Sequence, residues 1–563
     1  MTTSPADAGD VAGALDLLLT DAALGPSRRF FPGLSGLRFA RALASRPRRV
    51  ASRVAGLAGE LGRVAVGTST VAPSKRDRRF ADPAWTQNPL LRRAVQAYLA
   101  AGAVAEGIVS DLPMEWRDAE RIRFVAGNLV EALSPSNNPL LSPVAWKAMI
   151  DSGGGSAVAG LGNLLRDVAS SPRVPSMVAP DAYEIGTDLA CTTGSVVLRT
   201  PVIEVIQYAP QTPAVRSTPL VIVPPTINKF YVLDIAPGRS MVEYLVQQGQ
   251  QVFVVSWRNP DARHSKWGAD VYCQAILDAL AAARDITGSE SAHLLGACSG
   301  GILSSLALAH LAQTGQQHRI AGFTLLVTLL DQAPAGAVGA LVDETTAEAA
   351  IAASRARGYL DGRKLAEVFA WLRPSDLIWN YWVNNYLQGK TPPAFDILYW
   401  NADTTRMTAR LHHDFVRMAM TNALTKPGGA TVLGTDVDLA KIDVDSYVVA
   451  GVADHICPWQ SCYRSTQMLG GSNQFVLSTN GHIAALVNPP ENPKASFQTA
   501  GADNPTDPQE WLQTAKSEQG SWWPHYAAWL ADRSGPEKPA PETLGSTRFH
   551  ELGAAPGSYV LDR

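Results

Sequence analysis

A cysteine set between glycines is the first place in this chain where chemistry could occur. In SAHLLGACSGGILS, residues 291–304, an apolar run (His293 to Leu295) leads into Gly296-Ala297-Cys298-Ser299-Gly300-Gly301. An apolar helical pattern follows, from Ile302 through Leu306 to Leu308. Strand, tight turn and helix in that order make a nucleophile elbow, G-x-C-x-G, with a thiol where G-x-S-x-G carries a hydroxyl. Such a turn strains the backbone at Cys298, and side chains at Gly296 and Gly300 would collide with the neighbouring strand and helix. The sulfur is lifted above the sheet edge at a helix N-terminus, where the macrodipole favours a thiolate. A structural cysteine buried in a glycine-rich turn would carry the same residues, so the reading depends on what else the chain supplies.

A thiol nucleophile needs a base within hydrogen-bond reach and a third group to orient that base. In the α/β-hydrolase plan these follow the nucleophile as acid and then histidine, at the ends of later strands. SYVVAGVADHICPW supplies Asp454 just after a strand-like run, and QFVLSTNGHIAALVNPP supplies His482 in a loop after the last strand. His482 is expected to take the proton from Cys298 and Asp454 to hold the imidazole. His455 adjoins Asp454 and so does not easily face the same sulfur. Asp331, closing LLVTLLD, is the other acid that could serve. An oxyanion hole needs two backbone N–H groups. One is expected from Ser299, the other from Ile227 or Asn228 in the loop Pro224-Pro225-Thr226-Ile227-Asn228-Lys229; the sequence does not choose between those two.

The elements that must position these groups alternate. Strand-like runs at 195–198, 202–206, 220–223, 251–255, 323–330 and 446–450 are interleaved with helical patterns, which implies a parallel sheet covered on both faces. The fold class expected is α/β, an α/β-hydrolase fold with a helical cap insertion and a helical N-terminal domain. Three parts are expected: a basic, partly flexible segment over 1–78, a helical domain over 79–190, and the catalytic domain over 191–563. Helical spacing in the first part (Val11, Leu15, Leu18, Leu19) is interrupted by Pro26, Pro32 and Pro47, giving short helices and mobile links. Within the catalytic part the strand rhythm stops over about 332–433, where a cap would sit. The tail beyond Trp511 is expected to wrap the sheet.

Totals exclude several classes. The chain has 563 residues, 46% hydrophobic and 18% charged, enough for two or three domains with large cores. No apolar run reaches the length of a membrane span, and MTTSPADAGD lacks the basic and apolar regions of a secretion signal, so a cytoplasmic location is expected. Five cysteines (Cys191, Cys273, Cys298, Cys457, Cys462) without a C-x-x-C pair read as reduced thiols; no zinc or other metal site is expected. Net charge is −3, yet between Arg28 and Arg79 there are 13 Lys/Arg against Glu60 and Asp77. A segment of this kind suits an anionic surface or an acidic partner. Nothing in it has helix-turn-helix spacing or an RNA-binding aromatic motif, so no nucleic-acid partner is expected. Fourteen tryptophans, clustered late, hint at an apolar substrate or surface.

The stretches RRFADPAWTQNPL, PPTINKFYVLDIAPGRSMVEYLVQQGQQVFVVSWRNP, HLLGACSGG, LRPSDLIWNYWVNNYLQGKTPPAFDILYWNADTTRM, AGVADHICPWQSCYRS, TNGHIAALVNPP and SWWPHYAAWL span residues 79 to about 560. On them the chain resembles the polyhydroxyalkanoate synthases, bacterial enzymes that polymerise (R)-3-hydroxyacyl-CoA into storage polyester. The resemblance implies a Cys-Asp-His triad, carried onto Cys298, Asp454 and His482. It implies a homodimer on the polymer granule, in contact with the growing chain and with granule-associated proteins. It implies no cofactor, the CoA thioester being the substrate. NYWVNNYLQG and FDILYWN look closest to the branch that accepts medium-length side chains. The chain departs from the family at Met407-Thr408, where Leu-Pro is usual, and at Cys457, where a small apolar or hydroxyl residue is usual. The basic stretch 28–63 lies outside the resemblance.

Cysteine suits such a reaction. A thiolate exchanges readily with the thioester of CoA, and an enzyme thioester is reactive toward the next monomer's hydroxyl. Water must be kept out. The aromatic block Trp371, Trp379, Tyr381, Trp382, Tyr386, Phe395, Tyr399 and Trp400 suits an apolar cap that does so. A thioesterase or polyester depolymerase of the same fold is the alternative, disfavoured by cysteine at 298. A non-catalytic granule-coating protein is disfavoured by the ordered triad.

Overall fold

The structure is a computed structural model that describes residues 19, 22, 23, 33–75, 77–170, 172–332, 344–454, 456–501 and 504–563. It divides into two compact units, one comprising residues 1–23, 180–362 and 395–563, the other residues 24–179 and 363–394.

The first unit is built on an eleven-stranded sheet: β1 (Gly194–Arg199), β2 (Ile203–Tyr208), β3 (Leu220–Val223), β4 (Val252–Trp257), β5 (Ala292–Ala297), β6 (Ile320–Leu326), β7 (Ser446–Gly451), β8 (Asn473–Ser478), β9 (Ser496–Thr499), β10 (Lys516–Gln519) and β11 (Gly553–Ala554). Their spatial order is β10-β9-β8-β7-β6-β5-β3-β4-β2-β1-β11. The six strands from β8 to β4 run parallel and the outer ones are antiparallel. Every residue of β2, β3, β4, β5 and β7 is buried. Successive strand side chains point to opposite faces, so both faces are covered, which is why these strands read as unbroken apolar runs. Parallel strands bring all their C-terminal ends to one edge, where the segments after β3, β5, β6, β7 and β8 gather.

His482 follows the last parallel strand rather than the last strand, because β9 and β10 extend the sheet beyond β8. The late tryptophans are core, not surface: Trp511, Trp522 and Trp523 are fully buried, with Trp522 and Trp523 donating to the carbonyls of Ala485 and Leu486. The tail lies along the sheet, Glu537–Pro539 pairing with Ala214–Arg216 and β11 with β1.

The second unit is helical. Helix Pro89–Asp111 starts where Asn88 Oδ1 accepts the N–H of Leu90 (2.9 Å) and Leu91 (3.3 Å), with proline at the first helical position. Just before it, Arg79 bridges Asp77 and Glu131, and Phe80 meets Trp85 edge-on at 5.4 Å. Much of the basic segment is regular helix, Leu34–Ser45 and Pro47–Val66, the second longer than the short pieces expected. Pro47 opens that helix instead of breaking it, since its missing N–H is not needed there. Arg38 pairs with Asp118 and Arg53 with Asp111, so part of the positive charge is answered within the unit. Val11, Leu15 and Leu18 lie outside the described residues.

The stretch expected as a cap is shared between the units, and 333–343 lies outside the described residues. Trp371, Trp379, Trp382 and Tyr386 form an edge-to-face chain in the helical unit. There Trp382 donates to Asn137 O, and Tyr386 to Asp167 at 2.7 Å. Tyr399 and Trp400 belong to the sheet unit, where Trp400 donates to Lys229 O at 2.7 Å. Among the described residues no helix is long and apolar enough to cross a membrane.

Candidate active site

Cys298 sits between β5 and the helix Ser299–Gln313 with φ 51° and ψ −122°. A non-glycine residue held there stores about 1–3 kcal/mol, which surrounding contacts must offset. Those contacts are tight. A Cβ on Gly296 would fall 2.6 Å from Gly301 Cα, and one on Gly300 would fall 2.4 Å from Pro224 O. The first clash is with the helix and the second with the segment leaving β3. Gly301 is a third required glycine, since its Cβ would lie 2.1 Å from Thr328 Oγ1. Thr328 uses that hydroxyl to donate to Cys298 O (3.3 Å) and Leu326 O (3.0 Å), tying the turn to the end of β6.

The segments after β7 and β8 bring Asp454 and His482 together. His482 Nδ1 and Asp454 Oδ2 are 2.7 Å apart, in a pocket where the carboxylate is fully buried. Asp454 Oδ1 accepts the N–H of Ile456 (2.8 Å) and Cys457 (2.9 Å), which fixes its orientation. Asp331 is spent elsewhere: it pairs with Arg464 and accepts from Asn422 at 2.8 Å. His455 lies outside the described residues.

Asp454's turn also delivers a residue whose proximity the sequence reading missed. Cys457 reaches Cys298, and the two sulfurs and a ring nitrogen of His482 lie within 4.8 Å of one another. A hydrogen bond from the Cys457 thiol holds the Cys298 thiol well below its ordinary range, against the effect of burial and with the help of His482 and the Ser299 N–H. Burial, and then donation to Cys298, push Cys457 well up. For His482 burial opposes the charged ring, but Asp454 and then Cys298 outweigh it and raise its pKa well above the usual value. The signs agree on a thiolate–imidazolium pair. Its thiolate is lost only as pH falls through the lowered Cys298 value, and its imidazolium only as pH rises through the raised His482 value. The sequence signals for Cys457 are its departure from the family pattern and its spacing three residues after Asp454 in D-H-I-C.

Against the elbow runs the loop after β3, touching it at Ser299 and Gly300. Thr226 N–H donates to Ser299 Oγ at 3.0 Å and so is already engaged. The loop is pinned through its carbonyls: Pro224 O accepts from Trp257, Thr226 O from Thr405, Ile227 O from Thr405 N–H and Lys229 O from Trp400. Lys229 itself is buried and donates to Tyr559 O (3.4 Å) and Asp562 O (2.5 Å). Ile227 and Asn228 follow Thr226 on this loop, and Asn228 forms an antiparallel bridge with Thr404.

Comparison with known proteins decides the family. Residues 76–245 match the model of the poly-beta-hydroxybutyrate polymerase (PhaC) N-terminus, and residues 219–489 match the alpha/beta hydrolase fold. Poly(3-hydroxyalkanoate) polymerase 2 of Ectopseudomonas oleovorans is 46% identical over 92% of each chain. The chain belongs to the poly(3-hydroxyalkanoate) polymerase family. Polymerase 1 of the same organism is 45% identical over 92% of each chain. The PhaC polymerase subunit of Cupriavidus necator is 40% identical over 88% of this chain and 85% of its own. Membership in this acyltransferase family and the α/β-hydrolase fold agree with the sheet order.

Proposed function

We propose that this chain polymerises (R)-3-hydroxyacyl-CoA into polyhydroxyalkanoate, with release of CoA, through a thioester on Cys298. The observation that carries the reading is the strained elbow thiol beside a histidine whose other nitrogen sits 2.7 Å from a buried carboxylate. The Cys298 thiolate attacks the thioester carbonyl, and its oxyanion is received by Ser299 N–H with that of Ile227 or Asn228. The imidazolium of His482 gives its proton to the departing CoA sulfur. The ring, now neutral, takes the proton of a 3-hydroxyl, whose oxygen attacks the acyl group on Cys298; the C–S bond breaks, the thiolate returns beside the imidazolium, and the chain is longer by one ester. Acyl transfer between sulfur and oxygen changes no oxidation state and the CoA thioester brings its own driving force, so no cofactor is required.

The helical unit supports a granule location. Leu140, Trp146, Ile150, Val158, Leu161 and Leu165 are exposed there, an apolar surface suited to the polyester. The homodimer, granule-associated proteins and preference for medium-length side chains rest on family resemblance. The test is to supply hydroxyacyl-CoA substrates of increasing chain length and follow CoA release alongside polymer. Release matched by polymer, with a maximum at medium length, is the expected result. Release matched by free hydroxy acid would replace the reading with a thioesterase.

A further inference from the structure

Cys298, Cys457 and His482 present two sulfurs and one imidazole nitrogen to a common point. We propose that these three side chains form a binding site for a soft divalent cation, zinc, and that the bound ion holds the enzyme inactive by occupying its nucleophile.

The donor set is the kind zinc selects, thiolate and imidazole. Around a tetrahedral ion with Zn–S about 2.3 Å and Zn–N about 2.0–2.1 Å, donors stand about 3.4–3.8 Å apart. Here the donor atoms are within 4.8 Å of one another, so the widest gap closes by about 1 Å, within reach of side-chain rotation. The ring is already oriented. Its Nδ1 is engaged by Asp454 at 2.7 Å, leaving Nε2 for the ion, and a carboxylate behind a ligating histidine is the usual outer partner of bound zinc. The same Asp454 accepts the N–H of Cys457, so one turn positions both the ring and the second sulfur. Cys457 and His482 are 4% and 7% exposed, whereas Cys298 is half-buried; the ion enters from the Cys298 side and keeps its fourth position there.

Two thiolates and a neutral imidazole balance the charge of the ion. Thiols and imidazole bind the ion in their deprotonated forms, so binding releases protons and affinity weakens as pH falls. With its sulfur on the metal, Cys298 does not attack a thioester.

The test uses the full chain, stripped by chelator, kept reduced with a phosphine, and studied without substrate, so its outcome is independent of the polymerase reading. Cobalt is added to read thiolate-to-metal charge transfer, and zinc is titrated against a chromogenic chelator. The expected results are one ion per chain, a thiolate–cobalt band, and protection of Cys298 from iodoacetamide by zinc that is reversed by chelator. Cys457→Val should weaken zinc binding about 100-fold or more, since loss of even an outer partner costs 10–100-fold. Cys457→Ser, closer in size, serves should the valine variant not fold. Cys462→Ala should bind as before, because that sulfur contacts Cys457 O and is not among the three donors. Absence of the thiolate–cobalt band, or equal zinc affinity after loss of the Cys457 sulfur, would overturn the site.

Discussion

The two units treat their apolar side chains in opposite ways. The largest fully buried ones, among them Trp511, Trp522, Trp523, Tyr231, Tyr447 and Phe253, all belong to the sheet unit. The large exposed ones belong to the helical unit, apart from Phe395, Val452, Leu552 and Leu561. Both units pair charges internally, Arg79 with Asp77 and Glu131 in the helical unit and Arg464 with Asp331 in the sheet unit, but the sheet unit also gathers Cys298, Asp454 and His482 at one strand edge. One unit carries the buried triad and the other most of the exposed large apolar side chains. A change of a few atoms should therefore be felt in the first through chemistry and in the second through location.

The sharpest way to break that contrast is Cys298→Ala. Polymerisation should fall by about a millionfold, the scale seen when a nucleophile acting with its base is removed. Thermal unfolding should shift little, because a half-buried sulfur leaves a small cavity, roughly 1–2 kcal/mol. Polymer at more than a trace would move the chemistry elsewhere.

Asp454→Asn should be milder and should divide the reaction. The thiol is acidified mainly by Cys457 and His482, so acylation continues and rapid quench should show a burst of about one CoA per site. Elongation needs a hydroxyl of high pKa to be activated by a correctly held ring, and should slow about 10²–10⁴-fold. Equal loss of burst and elongation would show that the acid is needed even for the easier nucleophile.

The smallest chemical effect is expected on the helical unit. Replacing Leu140, Trp146 and Ile150 together by glutamate should leave Cys298 acylation within about tenfold, a barrier change of roughly 1.4 kcal/mol. Partition of the protein onto polymer granules should drop. Retained partition with impaired acylation would reverse the roles assigned to the two units.

How much of this was legible follows from how local each feature is. The elbow could be read because its pattern is contiguous and one of its clashes is local, Gly296 against Gly301, although Gly300 answers Pro224 from a distant part of the chain. The approach of Asp454 to His482 was readable from order, since parallel strands carry their C-terminal ends to one edge. Cys457 was not, because its meeting with Cys298 depends on a turn closed by Asp454 Oδ1. The aromatic block read as one apolar stretch, and nothing in its composition shows that Tyr386 bonds Asp167 while Trp400 bonds Lys229. The late tryptophans misled for a related reason: size and hydrophobicity serve a core and a surface equally well.

The bond from Lys229 to Tyr559 and Asp562 sets a schedule. The loop after β3 emerges from the ribosome some 330 residues before the carbonyls that Lys229 bonds. At 5–20 residues per second that interval is roughly 15–65 s. During it Cys298 is synthesised, and its strand and helix have time to form, while the loop after β3 still lacks the last of its tethers. Completion of that tethering thus waits on residues made long after the nucleophile itself.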